Sequence, residues 1–331
     1  MRAQPAASQR PNYAACSGCS LCLLVCPVWQ RTRDLALTPH GRAKALQNGC
    51  GVSEMAASID SCTLCGACRP ACPEDIDPVD MLLKLRRQSS PPAGLSAAMA
   101  AATPVAAAQH ASAAQRILLP DSGLSTRPQT LAKIAALLGA KGNLRVAADH
   151  GADISLALEA GALITQQRLD NFLAPLRACR SLVVADGLLC RHLAQWLPAS
   201  NIVGLGEALS SQAQVRGRLR ATDLYVIETR AYHADYQRLV KYYDQLRREC
   251  GCELNLDLQR IAIPAAARSL SQRLAGTHAD DEAQTGWLLQ GRKMSRIVAE
   301  NFEDYRTLAR ANRCEVVYLV DLMEEASHAH G

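Results

Sequence analysis

Eight cysteines arranged in two runs constrain this chain more than any other feature. Cys16, Cys19, Cys22 and Cys26 precede Pro27, and Cys62, Cys65, Cys68 and Cys72 precede Pro73. Each run has the form C-x2-C-x2-C-x3-C-P, the thiolate spacing of a bacterial [4Fe-4S] cluster, and two copies predict two clusters. In two-cluster proteins of this pattern the last cysteine of each run ligates the cluster of the other. The expected sets are therefore Cys16, Cys19, Cys22 and Cys72 for one cluster, and Cys62, Cys65, Cys68 and Cys26 for the other. This exchange ties both runs into one folding unit. Paired C-x2-C cysteines also hold structural zinc, but a zinc site takes four ligands in total, whereas each run here supplies four and ends in Cys-Pro. Gly18 and Gly66, inside the runs, let backbone amides approach cluster sulfurs, a contact that tunes potential.

All ligand positions of both clusters are filled, so no iron is left open to a substrate. That favours electron relay, with no catalytic residue of the chain's own. The chain has fourteen cysteines, and thiolates kept free for metal point to a reducing compartment, here the cytoplasm. Met1-Arg2-Ala3-Gln4-Pro5 has neither the apolar segment of a secretory signal nor an Arg pair. No 18-residue apolar run offers a membrane span, so membrane contact is expected only through a partner. The formal charge of +5 is mild and no Lys/Arg block accompanies it, which excludes a nucleic-acid surface.

The 331 residues suffice for about two domains. Thr38-Pro39 and Asp77-Pro78 each place a capping side chain before a proline in the first turn, and so predict helices after them. Residues 1–88 thus read as a helical cluster domain, with a loose tail up to about residue 12. Thirty-five residues separate Cys26 from Cys62, enough for two connecting helices. Residues 89–115, rich in Ser, Pro and Ala, read as a linker with room for an Ala-rich helix. From residue 116 short apolar runs alternate with amphipathic stretches. Strands are expected at Arg145–Ala148, Ser181–Ala185, Asn201–Val203, Asp223–Ile227 and Glu315–Val320, and helices near 166–178, 190–197, 234–249 and 291–312. A faint repeat aligns Arg177–Asp186 with Arg310–Asp321. The fold class is α+β and multidomain: an all-helical dicluster ferredoxin domain, then a two-lobed α/β domain (116–331) with mainly parallel sheets and halves of about 116–215 and 216–331.

The first 88 residues resemble the helical two-cluster domain of succinate dehydrogenase iron-sulfur subunits, heterodisulfide reductase C-type subunits, and the iron-sulfur subunits of glycolate oxidase and anaerobic glycerol-3-phosphate dehydrogenase. Thr38-Pro39-His40-Gly41-Arg42 is similar to the Ser-Pro-Arg-Gly-Arg segment of the glycolate oxidase type, and Cys72-Pro73-Glu74-Asp75-Ile76-Asp77 fits the Cys-Pro-x-x-Ile/Val ending. The resemblance implies a second domain of two similar halves, each with a Cys-Cys-Gly motif and a further cysteine. This chain departs from it: Asp149-His150-Gly151, Tyr232-His233, Ile263-Pro264-Ala265-Ala266 and Val320-Asp321 stand where those cysteines belong, and only Cys190 holds a family position. Lacking a full thiolate set, residues 116–331 read as a degenerate, structural or docking descendant.

The resemblance implies an electron-transfer subunit of a multisubunit oxidoreductase, relaying single electrons between a flavin-containing dehydrogenase and a quinone, ferredoxin or other iron-sulfur acceptor. The alternative is a heterodisulfide-reductase-like subunit acting on a disulfide or thiol through Cys190, Cys250 or Cys252. Cys250-Gly251-Cys252 lacks a third ligand, and Cys50, Cys179, Cys190 and Cys314 stand alone as small hydrophobes. His150 and His233 read as satisfied or solvent-facing. His328 and His330 belong to the tail, and Gly204-Leu205-Gly206-Glu207 lacks the third glycine of a dinucleotide fingerprint.

Overall fold

The computed structural model describes residues 13–104, 116–139, 144–258, 260–278, 280–311 and 314–323. Helices Leu21–Leu24 and Pro27–Thr32 carry the first cysteine run, Pro39–Gln47 and Ala56–Ser61 lead to the second, and Pro78–Arg86 follows it. Both proline-marked helix starts form as the sequence predicts. Thr38 Oγ1 accepts the Gly41 N–H at 3.0 Å, and Asp77 accepts those of Val79 and Asp80 at 3.1 Å. Each cap satisfies a backbone donor that the helix itself leaves unpaired. Helix Leu95–Ala102 lies inside the Ser/Pro/Ala-rich stretch. The rest of that stretch from 105, the first twelve residues and the C-terminal histidines lie outside the described residues.

Beyond it, strands β1 (Arg116–Leu119), β2 (Leu144–Val146), β3 (Ser181–Val184) and β4 (Asn201–Gly204) form a sheet in the order β2-β1-β3-β4. Strands β5 (Asp223–Val226) and β6 (Glu253–Leu254) belong to a second sheet. After the small antiparallel pair β7 (Leu256–Asp257) and β8 (Ile261–Ala262), β9 (Arg296–Ala299) and β10 (Glu315–Tyr318) complete that sheet in the order β10-β9-β5-β6. All pairings within the two larger sheets are parallel. The molecule is therefore mixed helix and parallel sheet. In β1, β5 and β9 nearly every side chain is buried, as a parallel strand covered by helices on both faces requires. Leu118 and Val183 of one sheet join Tyr225 and Val298 of the other, through Leu205 and Leu209 of helix Leu205–Ser210, in one apolar core.

Three sequence expectations need correction. The stretch 291–312 is not one helix: β9 occupies its middle, and the helix begins only at Phe302 and runs to Ala311. Strand β1, central in its sheet, is not among the expected strands, because Arg116 and Pro120 flank only three apolar residues. The repeat also has a different register. Strand order equates β3 with β9 and β4 with β10, so Arg177–Asp186 and Arg310–Asp321 are not counterparts.

Arg296 and Asp223, the first residues of β9 and β5, are fully buried against each other, with bonds of 3.0 and 2.7 Å between guanidinium and carboxylate. The charge pair makes β9 look amphipathic in sequence while fixing its register against β5. Replacing Asp223 by Ala leaves a buried guanidinium uncompensated and is expected to cost about 3–5 kcal/mol of folding stability by denaturant unfolding. A loss within ~0.5 kcal/mol of zero would contradict this role.

Candidate cluster-binding site

Cys26 stands at the N-cap of helix Pro27–Thr32, with the Trp29 and Val28 N–H groups near enough to favour its thiolate. Pro27, with no N–H to offer, starts the helix without leaving a donor unpaired. Behind the first run, Lys44 Nζ and Gln47 Nε2 both donate to the Cys16 carbonyl, at 3.1 and 3.0 Å. Arg42, 1% exposed, lies near enough to Cys26 to favour its thiolate, and it donates to the Leu37 and Ser58 carbonyls.

The second run is held by its backbone. Arg86 donates to the Cys62 carbonyl at 2.8 Å, Arg230 to that of Thr63 at 2.8 Å, and His233 Nδ1 to that of Cys65 at 2.7 Å. Ala262 N–H donates to His233 Nε2 at 3.3 Å. A ring that donates from Nδ1 and accepts at Nε2 is neutral, and burial pushes its pKa down to about 4. His233 is thus a satisfied core residue, as read from the sequence, but one aimed at the cysteine loop. Gly66, at φ 81°, makes room for it: a Cβ there would come within 2.8 Å of His233 Cβ.

The thiols of the two runs intermingle. Burial and then Cys26, Cys16, Cys72 and Cys19 push Cys22 up to about 12. Burial and then Cys65, Cys62, Cys22 and Cys26 push Cys68 well above the usual thiol value. Cys65 is raised to about 12 by burial, with Cys62 and Cys26 adding to it. Cys72 of the second run therefore lies near Cys22 of the first, and Cys26 of the first near Cys62, Cys65 and Cys68. Thiols that oppose one another's ionisation form a donor set suited to a cationic iron core, which reverses that balance for all of them together. Among the described residues no group of His, Cys, Asp or Glu is gathered closely enough to hold a single metal ion. A cube of four irons spreads its thiolates more widely than one ion does.

The two ends of this thiol group differ in access. Cys19 is exposed beside Leu21 and Leu24, which are 44% and 50% exposed, whereas Cys65 and Cys68 are buried. Cys65 instead borders a cavity of about 470 Å³ between the cysteine domain and the two sheets. Asp121 after β1, Asp186 after β3, Glu228 after β5 and Asp304 after β9 line it. An acid a few residues past each central strand was visible in the sequence, but without β1 and β9 it formed no pattern. Burial raises Asp121 and Asp304 to about 6 and Glu228 to about 8. Gly187, opposite, leaves no space for a Cβ beside the Glu228 carboxylate. Glu159 behaves oppositely: burial disfavours its charge, but Arg230 and Arg273 outweigh that and hold it below the usual carboxylate range.

Apart from the Cys250–Cys252 pair, the remaining cysteines lie in different elements. Cys179, Cys250, Cys252 and Cys314 precede strands, at the sheet edge away from the cavity. Cys190 is buried in the core, and burial raises Cys190 and Cys252 to about 12. His150 borders the cavity, and Gly206 packs against Glu300 without a phosphate-binding loop.

Residues 12–76 match a family described as a 4Fe-4S dicluster domain. No curated protein and no solved structure matches the chain. The matched segment contains both cysteine runs, so this is an iron-sulfur protein that binds [4Fe-4S] clusters, a chemistry that serves electron transfer. Among the described residues no helix is long and apolar enough to cross a membrane.

Glu228 gives a pH signature. A carboxyl raised from 4.5 to about 8 in the fold keeps a proton that the unfolded chain releases, so its contribution is full below pH 4.5 and lost as pH rises toward about 8. The denaturation midpoint is expected to fall between about pH 4.5 and about pH 8, and less so in Glu228→Gln. An equal slope in both proteins would show that Glu228 does not carry the effect.

Proposed function

We propose that the chain is an electron-transfer subunit with two [4Fe-4S] clusters, one held by Cys16, Cys19, Cys22 and Cys72 and the other by Cys62, Cys65, Cys68 and Cys26. What supports this reading is the closeness of thiols across the runs: Cys72 lies near Cys22 of the first run, and Cys26 near Cys62 and Cys68 of the second. When bound, such clusters accept and release single electrons. The chain's own residues set the conditions for this. Arg42 and the N–H groups of Val28 and Trp29 favour charge on Cys26, and Arg31 and Arg86 lie close enough to Cys26, Cys65 and Cys62 for their charges to be felt. Cations and N–H donors near cluster sulfurs stabilise the more negative, reduced state.

The exposed Cys19, with Leu21 and Leu24 beside it, supports partner contact at the first cluster, while the buried second cluster faces inward. The partners in this reading are a flavin-containing dehydrogenase and a quinone, ferredoxin or other iron-sulfur acceptor, with the bond chemistry on the partner's flavin. The domain division follows the same reading: a cluster domain over 1–88, a linker over 89–115, and two α/β halves over 116–331 that serve as support. Thiol chemistry at Cys190, Cys250 and Cys252 gains no support from a Cys190 buried in a separate core and from thiols raised to about 12 at Cys190 and Cys252.

Anaerobically purified protein is expected to hold about eight irons per chain. Cys72→Ser should disturb the signal of the first cluster and Cys26→Ser that of the second, each read by electron paramagnetic resonance. About four irons in the unaltered chain would overturn the two-cluster reading, and loss in the reverse pattern would overturn the exchange.

A further inference from the structure

The two larger sheets aim their C-terminal edges at one space. In the first, the chain leaves β1 for β2 on one side and then places β3 on the other; in the second, β6 and β9 flank β5 in the same way. Such switch points open a crevice past the strand ends, where parallel sheets bind ligands. Here the two crevices merge into the cavity of about 470 Å³, a size that suits a metabolite. Thr63 and Cys65 of the second cysteine run form part of its wall.

The acids of this cavity are largely engaged. Glu159 is paired with Arg230 and Arg273, and Glu303 with Arg268. Asp121 accepts the Leu124 N–H, Glu228 those of Arg230 and Ala231, and Asp304 that of Ala266. The cations are not all matched. Arg127 stacks over the Phe302 ring at 3.5 Å, and Arg310 meets the His278 ring at 3.0 Å. Among the described residues Arg127, Arg306 and Arg310 have no carboxylate partner. Phe302, Arg306 and Arg310 follow one another at four-residue spacing on helix Phe302–Ala311, so they share a face, and Arg127 extends the row through its stacking. His150 Nδ1 and Arg268 Nε, on other walls, are buried without a hydrogen-bond partner.

We propose that this cavity binds a small anion carrying a carboxylate or phosphate group, whose charge is taken by Arg127, Arg306 and Arg310. Guanidinium forks meet either group with two parallel bonds. The acids past the strand ends are already held by backbone N–H groups and do not take up these three guanidinium charges. The binding site lies beside the second cysteine run but does not depend on electron relay.

The test is isothermal calorimetry on anaerobically purified, iron-loaded protein at low ionic strength, with citrate, inorganic phosphate and, as an uncharged probe, glycerol. Citrate, phosphate or both should bind at one site per chain and glycerol should not; the anion that binds identifies the group recognised. Arg306→Gln combined with Arg310→Gln, on the exposed side of the helix, should weaken binding by at least about tenfold with iron content unchanged. Arg127→Gln should weaken it independently. If neither anion binds, or if all these variants bind like the unaltered chain, the proposal is wrong. Iron content, read on the same samples, separates that failure from a failure of the cluster reading.

Discussion

Three hydrogen bonds to main-chain carbonyls hold the second cysteine run in place: from Arg86 to Cys62, from Arg230 to Thr63 and from His233 to Cys65. The two from the charged guanidinium donors contribute about 1.5–3 kcal/mol each when well formed, the neutral His233 bond less, and more is lost when a buried partner is removed. Their origins matter as much as their strength. Arg86 comes from the helix after the run, whereas Arg230 and His233 come from helix Thr229–Ala234 behind β5. The same Arg86 donates to the Glu159 carbonyl, and the Glu159 carboxylate pairs with Arg230 and Arg273. One network thus joins the cysteine loop, both sheets and helix Leu270–Leu274.

That network ties the two parallel sheets to the second cysteine run. Asp77, after caps are made to Val79 and Asp80, still pairs with Arg191 at 2.7 Å, and Arg31 reaches the Ala267 carbonyl at 2.9 Å. Leu188 packs into the apolar cluster of Leu82 and Leu85. The sheets therefore act as a rigid wall behind the second run, and they leave the first run, with Cys19 and its leucines, open to the surface. Rigid surroundings keep cluster geometry constant between redox states, the condition under which a protein carries electrons with little reorganisation.

How much of this the sequence disclosed depends on the range of each interaction. The cysteine spacing, the Thr38 and Asp77 caps and the prolines beside them act within a few residues, and the helices form where those residues place them. Strands β1 and β9 escaped because their neighbours hide them: Arg116 and Pro120 frame one, and the buried partner of Arg296 lies 73 residues away at Asp223. The cavity escaped with them, since the acids past four strands converge only once the strand order is known. His233 was read as satisfied, yet its partner, 168 residues earlier at Cys65, has no local signal.

The central claim is that two clusters sit side by side because the runs exchange their last cysteines. Low-temperature electron paramagnetic resonance of the fully reduced protein tests it most directly. Two adjacent reduced clusters should give a broadened, spin-coupled signal that integrates to about two spins per chain. A simple, uncoupled signal of about one spin would contradict the account.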